Sequence, residues 1–161
     1  MRVPRISYAR GADGVSLAFT VAGDGPALVF APWVPFSNLR MEWQNPLLHQ
    51  VFEQLAQELT LVHYDGRGTG HSQRDVTDLS LEAMVSDLEA VIDRLNLDRL
   101  ILFGYWRSGL EAIVYAADHP DRVSHLILGV RLHWARTSTG EKTCTGRCLR
   151  LRLRIRAFMW R

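Results

Sequence analysis

Cysteine is scarce in this sequence: only Cys144 and Cys148 occur, both near the C-terminal end. A zinc site normally needs four ligands, and only a distant His133 accompanies this pair, so no metal and no cofactor are expected. Free thiols in a reducing compartment are the simpler reading. Long apolar runs are also missing. No stretch approaches the roughly 18 residues of a membrane span, which argues against a transmembrane protein. The opening MRVPRISYAR is charged and has no apolar core of the kind a secretory signal carries. The expected compartment is therefore the cytoplasm. No internal repeat is visible, which excludes a solenoid.

What is present suits one globular domain. The chain has 161 residues, 47% of them hydrophobic. A chain of about 150 residues buries roughly 68–70% of its unfolded surface. The net charge of +2 hides a division. Residues 1–130 hold 10 Lys and Arg against 16 Asp and Glu; residues 131–161 hold 9 against a single Glu. Such asymmetry marks two stretches of different character.

Along the chain, "ISYARGADGVSLAFTVAG" reads as a hairpin around Gly11-Ala12-Asp13-Gly14, residues that tolerate positive φ. Ala27 to Ala31 is a short apolar run suited to a strand buried on both faces. Residues 32–44 read as a loop. A helix follows from Pro46, with Leu47, Leu48, Val51, Phe52, Leu55 and Leu59 in helical period. "TLVHYDGRGTGHS" is a strand entering a glycine-rich turn. Ser80 caps a second helix whose buried face carries Met84, Leu88, Val91 and Leu95, with Glu82 favouring its dipole. "DRLILFG" is a strand, "SGLEAIVYAADHP" a helix stopped at His119-Pro120, and "RVSHLILGV" a further strand. This alternation implies an α/β fold: a mostly parallel sheet with helices on both faces, and sites at the carboxyl ends of its strands.

The turn "YDGRGTGHS" after one strand and "LFGYWRSG…AIVYAADHPDRVSHLIL" after the next resemble the α/β-hydrolase superfamily. They are most similar to a bacterial branch whose hydrolase-like domains occur beside helix-turn-helix regulators or nucleotide cyclases. The resemblance covers roughly residues 6–130. It implies a truncated α/β-hydrolase-like domain over residues 1–130 and an atypical basic tail over residues 131–161. The implied activity is hydrolysis of an ester or related acyl bond. That chemistry needs an exposed serine on a sharp strand-to-helix elbow, a histidine, an acid and backbone N–H donors for the oxyanion. The family's acid and histidine follow later strands than those read here.

At the elbow, Trp106 occupies the nucleophile position between Tyr105 and Arg107. An indole is a donor only and cannot attack a carbonyl. Ser108, two residues on, is the remaining nucleophile candidate, set against a plain helix-start serine. Where relatives have His-Gly in the oxyanion loop, this chain has Pro32-Trp33, and only Trp33 has an N–H to offer. Trp33, Tyr105 and Arg107 form the expected oxyanion and pocket set. Trp33, Phe36 and Trp43 are expected either to line that pocket or to pack in core or lid. Asp65 and Arg67 are expected to pair within the glycine-rich turn. His49, His63, His119 and His125 read as structural. Only His71, in that turn, is placed for a site, its alternative being a solvated loop residue.

In the tail, Arg150, Arg152, Arg154 and Arg156 alternate with Leu149, Leu151, Leu153 and Ile155. Three readings stand: an added edge strand, a phosphate-binding basic strand, or out-of-frame translation. The charge break coincides with loss of the family pattern and favours the third, so nucleic-acid binding by the tail is not the expectation. An open sheet edge would favour an edge-to-edge dimer. The sequence therefore leads to a hydrolase-family protein expected to be inactive as this chain, without the elbow serine or the late acid and histidine. The alternatives are a sensor of an apolar small molecule and an inert gene fragment.

Overall fold

The structure is a computed structural model and describes residues 3–33 and 35–129; the two cysteines, His133 and the basic tail lie outside the described residues. Ten elements follow in chain order: β1 (Ser7–Arg10), β2 (Ser16–Ala22), β3 (Ala27–Phe30), α1 (Leu39–Gln44), α2 (Pro46–Glu58), β4 (Thr60–Tyr64), α3 (Leu81–Arg94), β5 (Leu100–Tyr105), α4 (Ser108–Asp118) and β6 (Val123–Gly129). The strands form one sheet in the order β1-β2-β4-β3-β5-β6. β1 and β2 are antiparallel, as are β2 and β4; β3–β4, β3–β5 and β5–β6 are parallel.

Period-two alternation sends successive side chains to opposite faces. In β3, Ala27 and Val29 join one core with Leu88, Val91, Ile92, Ala112 and Tyr115, the inward residues of α3 and α4. Leu28 and Phe30 join the opposite core with Trp43 of α1 and Phe52 of α2. The apolar run is continuous because both faces are covered, as the α/β reading requires. No helix among the described residues is long and apolar enough to cross a membrane.

Three expectations need correction. Residues 32–44 are not all loop, because Leu39–Gln44 is helical. The Asn38 side chain accepts the Met41 N–H at 3.1 Å, while Glu42 Oε1 accepts the Asn38 N–H at 2.9 Å, a reciprocal cap that closes this short helix. The helix from Pro46 forms as expected, but its apolar stripe is wider than the surface it covers. His49 and Phe52 are buried, whereas Leu47 and Val51 are exposed. Trp43 takes the core alternative: it packs on Phe52 at 5.1 Å between ring centroids and is buried, as one of the two expectations had it.

The third correction concerns the glycine-rich turn. Asp65 and Arg67 do not pair with each other. The buried Arg67 guanidinium donates from Nε and Nη2 to both oxygens of Asp87 on α3, each at 2.7 Å. Its Nη1 donates to Asp13 in the β1–β2 turn at 2.9 Å and to the Asp78 carbonyl at 3.1 Å. Those bonds, first the ones to Asp87, raise the Arg67 pKa above its ordinary value. Asp65 instead ties backbone: Oδ1 accepts the Leu39 N–H at 3.0 Å and Oδ2 the His71 N–H at 2.8 Å. Gly70, at φ 49°, admits this path because a Cβ there would stand 2.1 Å from Asp65 Oδ2.

A buried charge stripped of its partner is costly. Arg67→Met leaves Asp87 unpaired in the core and is expected to destabilise the chain by about 3–5 kcal/mol. Urea denaturation of the two proteins measures it.

Candidate functional site

The carboxyl ends of β3, β4 and β5 are neighbours along one edge of the sheet. β5 runs through Gly104 to Tyr105, turns at Trp106 and enters α4 at Ser108. A Cβ on Gly104 would lie 2.9 Å from Gly109 Cα, the Ser108 carbonyl oxygen and Ala112 Cβ, so the missing side chain lets helix and strand approach closely. At the apex, Trp106 has φ 53°, the left-handed region that a bulky residue adopts only under constraint. The turn from β5 into α4 is therefore tight and strained, with the Trp106 indole at its apex.

Ser108 lies below the apex. It is 2% exposed, and its Oγ accepts the Tyr105 N–H at 2.9 Å. The same hydroxyl donates to the Tyr105 carbonyl at 2.8 Å, with the Ala31 carbonyl farther away at 3.4 Å. It staples the strand end to the first turn of the helix.

Around the apex the structure brings together Trp33, Tyr105 and Trp106, and adds Phe36. Tyr105 stacks on Trp106 at 6.0 Å and 22° between ring planes. Trp33 meets Tyr105 edge-on at 6.0 Å, Trp106 at 6.3 Å and Phe36 at 5.9 Å. The group faces solvent: Trp106 is 62% exposed and Phe36 71%. Arg107 flanks it, donating to the Leu79 carbonyl at 3.4 Å. An open hollow of about 430 Å³ lies elsewhere, between β1 and α3, lined by Arg10, Ser86, Glu89, Asp93 and Arg94 among others.

Five histidines lie among the described residues. His63 is buried and contacts Glu42 at 3.1 Å; His49 contacts Glu53 at 2.9 Å; His119 contacts Glu89 at 3.4 Å. His125 is exposed on β6. His71 meets a carboxylate: its Nδ1 is 3.3 Å from Asp65 Oδ2. Burial raises the Asp65 carboxyl, while the His71 N–H, the His71 ring and the Leu39 N–H pull it back. Among the described residues, no three His, Cys, Asp or Glu side chains gather to hold a metal.

Two buried acids escaped the sequence reading, Asp87 and Glu111. Glu111, in the first turn of α4, is 2% exposed and faces Tyr64 and Asp87. Its Oε1 and the Tyr64 hydroxyl complete no well-directed hydrogen bond among the described residues, though the two groups are close enough to influence each other. Burial drives the Glu111 carboxyl well above 4.5 and Asp87 adds to this, against weaker pulls from Tyr64 and Arg107. Burial likewise drives the Tyr64 hydroxyl up, reinforced by the charges of Glu111 and Asp87. The available signal was a charge three residues past Ser108 on the face that carries Ala112 and Tyr115.

The description of the alpha/beta hydrolase fold matches residues 37–135, more than half of the chain. The chain belongs to the alpha/beta hydrolase family. Among its relatives, a protein named carbamate hydrolase RutD of Caulobacter sp. is 35% identical over 91 residues, which are 56% of this chain and 33% of that protein. A soluble epoxide hydrolase of Corynebacterium sp. is 28% identical over 116 residues, 72% of this chain and 38% of that one. The crystal structure of a hydrolase from Pseudomonas aeruginosa superposes with a TM-score of 0.67 at 24% identity, over 79% of this chain and 46% of that one. The last likeness shows the shared fold. The chain thus spans about a third of the length of these two curated relatives.

Two outcomes are expected of this alpha/beta hydrolase elbow. Ser108→Ala orphans the Tyr105 N–H and costs about 1–3 kcal/mol in a denaturation experiment. Glu111 sets a pH dependence. An acid whose pKa is raised on folding contributes stability that is complete below its unfolded pKa and lost as pH rises through the folded value. As pH rises past the ordinary range of a carboxyl, the native chain should therefore lose stability relative to Glu111→Gln, which cannot ionise. Urea melts of both proteins at a series of pH values show the difference.

Proposed function

We propose that the carboxyl edge of this chain binds an apolar, acyl-bearing small molecule over the aromatic surface of Trp33, Tyr105 and Trp106, without forming a covalent adduct at the elbow. The observation that carries this reading is Trp106 at the apex, held at φ 53° and 62% exposed while Ser108 is turned inward. The apex geometry presents a side chain to whatever lies above the sheet. An indole there offers a large apolar face and one N–H donor, which suits binding and not attack. Ser108 Oγ is committed to the backbone of Tyr105 and has no path to a ligand without dismantling the turn.

Family membership supports an electrophilic ligand, and the names of the relatives add carbamates and epoxides to simple esters as chemistry to test. Arg107 beside the aromatic group supplies a donor for a carbonyl or carboxylate oxygen. The inert-fragment alternative has no observation of its own to favour it over binding.

The test pairs two measurements on the full chain. Titration with 4-nitrophenyl butyrate should quench indole emission saturably, and Trp106→Ala should weaken the apparent affinity about tenfold, the scale of one lost aromatic contact. A serine-directed fluorophosphonate should leave the protein unmodified by intact-mass spectrometry. Labelling at Ser108 would overturn the reading in favour of a serine hydrolase.

A further inference from the structure

We propose that His71 and Asp65 form a separate acid–base site, in which the His71 ring activates a water molecule against the acyl carbon of an apolar ester held at the carboxyl edge. The inference rests on the binding reading above for where the ester sits. The dyad itself rests on its own geometry. Asp65 is fully buried at the end of β4, and its carboxylate cannot swing away, because Oδ1 holds the Leu39 N–H at 3.0 Å and Oδ2 holds the His71 N–H at 2.8 Å. The His71 ring approaches that fixed oxygen through Nδ1 at 3.3 Å. With the proton on Nδ1 facing the carboxylate, Nε2 carries its lone pair outward. The side chain is 27% exposed, and Nε2 makes no hydrogen bond among the described residues. A buried acid orienting a partly exposed imidazole is the arrangement a general base requires.

The dyad is tied to the aromatic surface. Ser37 Oγ shares a hydrogen bond of 2.7 Å with Thr69 Oγ1 and accepts the Gly66 N–H at 3.2 Å. Ser37 follows Phe36 directly, and Thr69 precedes His71 by two residues. The turn after β4 is therefore pinned to the loop that carries Trp33 and Phe36. β4, β3 and β5 are consecutive and parallel in the sheet, so the strand that leads to His71 and the strand that leads to Trp106 end on the same edge.

The reaction balances without a protein nucleophile. An O–H bond of water breaks and its proton goes to His71 Nε2. The water oxygen bonds to the acyl carbon as the carbonyl π pair moves onto oxygen. The alkoxy C–O bond then breaks, and the leaving oxygen takes the proton back from the imidazolium. Ester and water become acid and alcohol. No acyl-protein adduct forms, which fits an elbow that presents an indole.

The experiment uses the full chain and 4-nitrophenyl butyrate, following nitrophenolate release and indole quenching in the same samples between about pH 5 and pH 9. The expected result is nitrophenolate release that depends on His71, with a solvent deuterium isotope effect above one and no acyl adduct by mass spectrometry. His71→Gln should lower kcat/KM by about 100-fold or more, the usual contribution of a general base, with quenching unchanged. No hydrolysis by the native chain, an unchanged rate in His71→Gln, or an adduct on any residue overturns the proposal. His71-dependent hydrolysis without saturable quenching would sink the aromatic binding reading and support the dyad, so the two failures are distinguishable.

Discussion

A guanidinium with almost no exposure to water has to be surrounded by acceptors, and Arg67 meets that demand with groups from three parts of the chain. The bidentate pair with Asp87 locks the glycine-rich turn to α3, and the bond to Asp13 locks it to the β1–β2 hairpin. With the turn held from outside, Asp65 is left to organise what lies inside it: the start of α1 and the position of His71. Ser37 then ties the loop after β3 to the same turn. The carboxyl edge of the sheet is thus a consequence of one buried charge and its need for partners.

The elbow shows how far architecture and chemistry can be separated. Close approach at Gly104, the hydroxyl staple from Ser108 and the left-handed backbone at residue 106 are all in place. None of these depends on the identity of the side chain at the apex. Trp106 bears the left-handed backbone of this turn, and an indole is a hydrogen-bond donor without a nucleophilic atom. Directly beneath, Glu111 adds a buried acid that the staple does not use, facing Tyr64 across the core. The fold is that of the family, while what happens above the sheet is decided by the residues that line it.

Much of the fold was legible in the sequence. Alternating segments and short apolar runs located the six strands, helical periodicity the three longer helices, and Pro46 and Ser80 marked helix starts through simple capping chemistry. The short helix at Leu39–Gln44 was not legible, because its closure depends on a two-sided exchange between Asn38 and Glu42 that local prolines and aromatics obscure. Nor was the exposure of Leu47 and Val51, since periodicity reports which residues share a face and not how much of that face a neighbour covers. Trp43 and Trp33 illustrate the same limit. Both are aromatics in one stretch, yet one is buried on Phe52 and the other faces solvent beside Trp106.

By itself the sequence determined the α/β alternation, the tight turn after β5 and the residue at its apex, because these are local: hydrophobic period, glycine at tight approaches, and the identity of residue 106. Only the tertiary structure decided who pairs with whom. Arg67 could not be assigned to Asp87 and Asp13, nor Asp65 to Leu39 and His71, from positions along the chain. Burial makes such groups demand partners, but the partner is whichever acceptor the packed sheet and helices bring within reach.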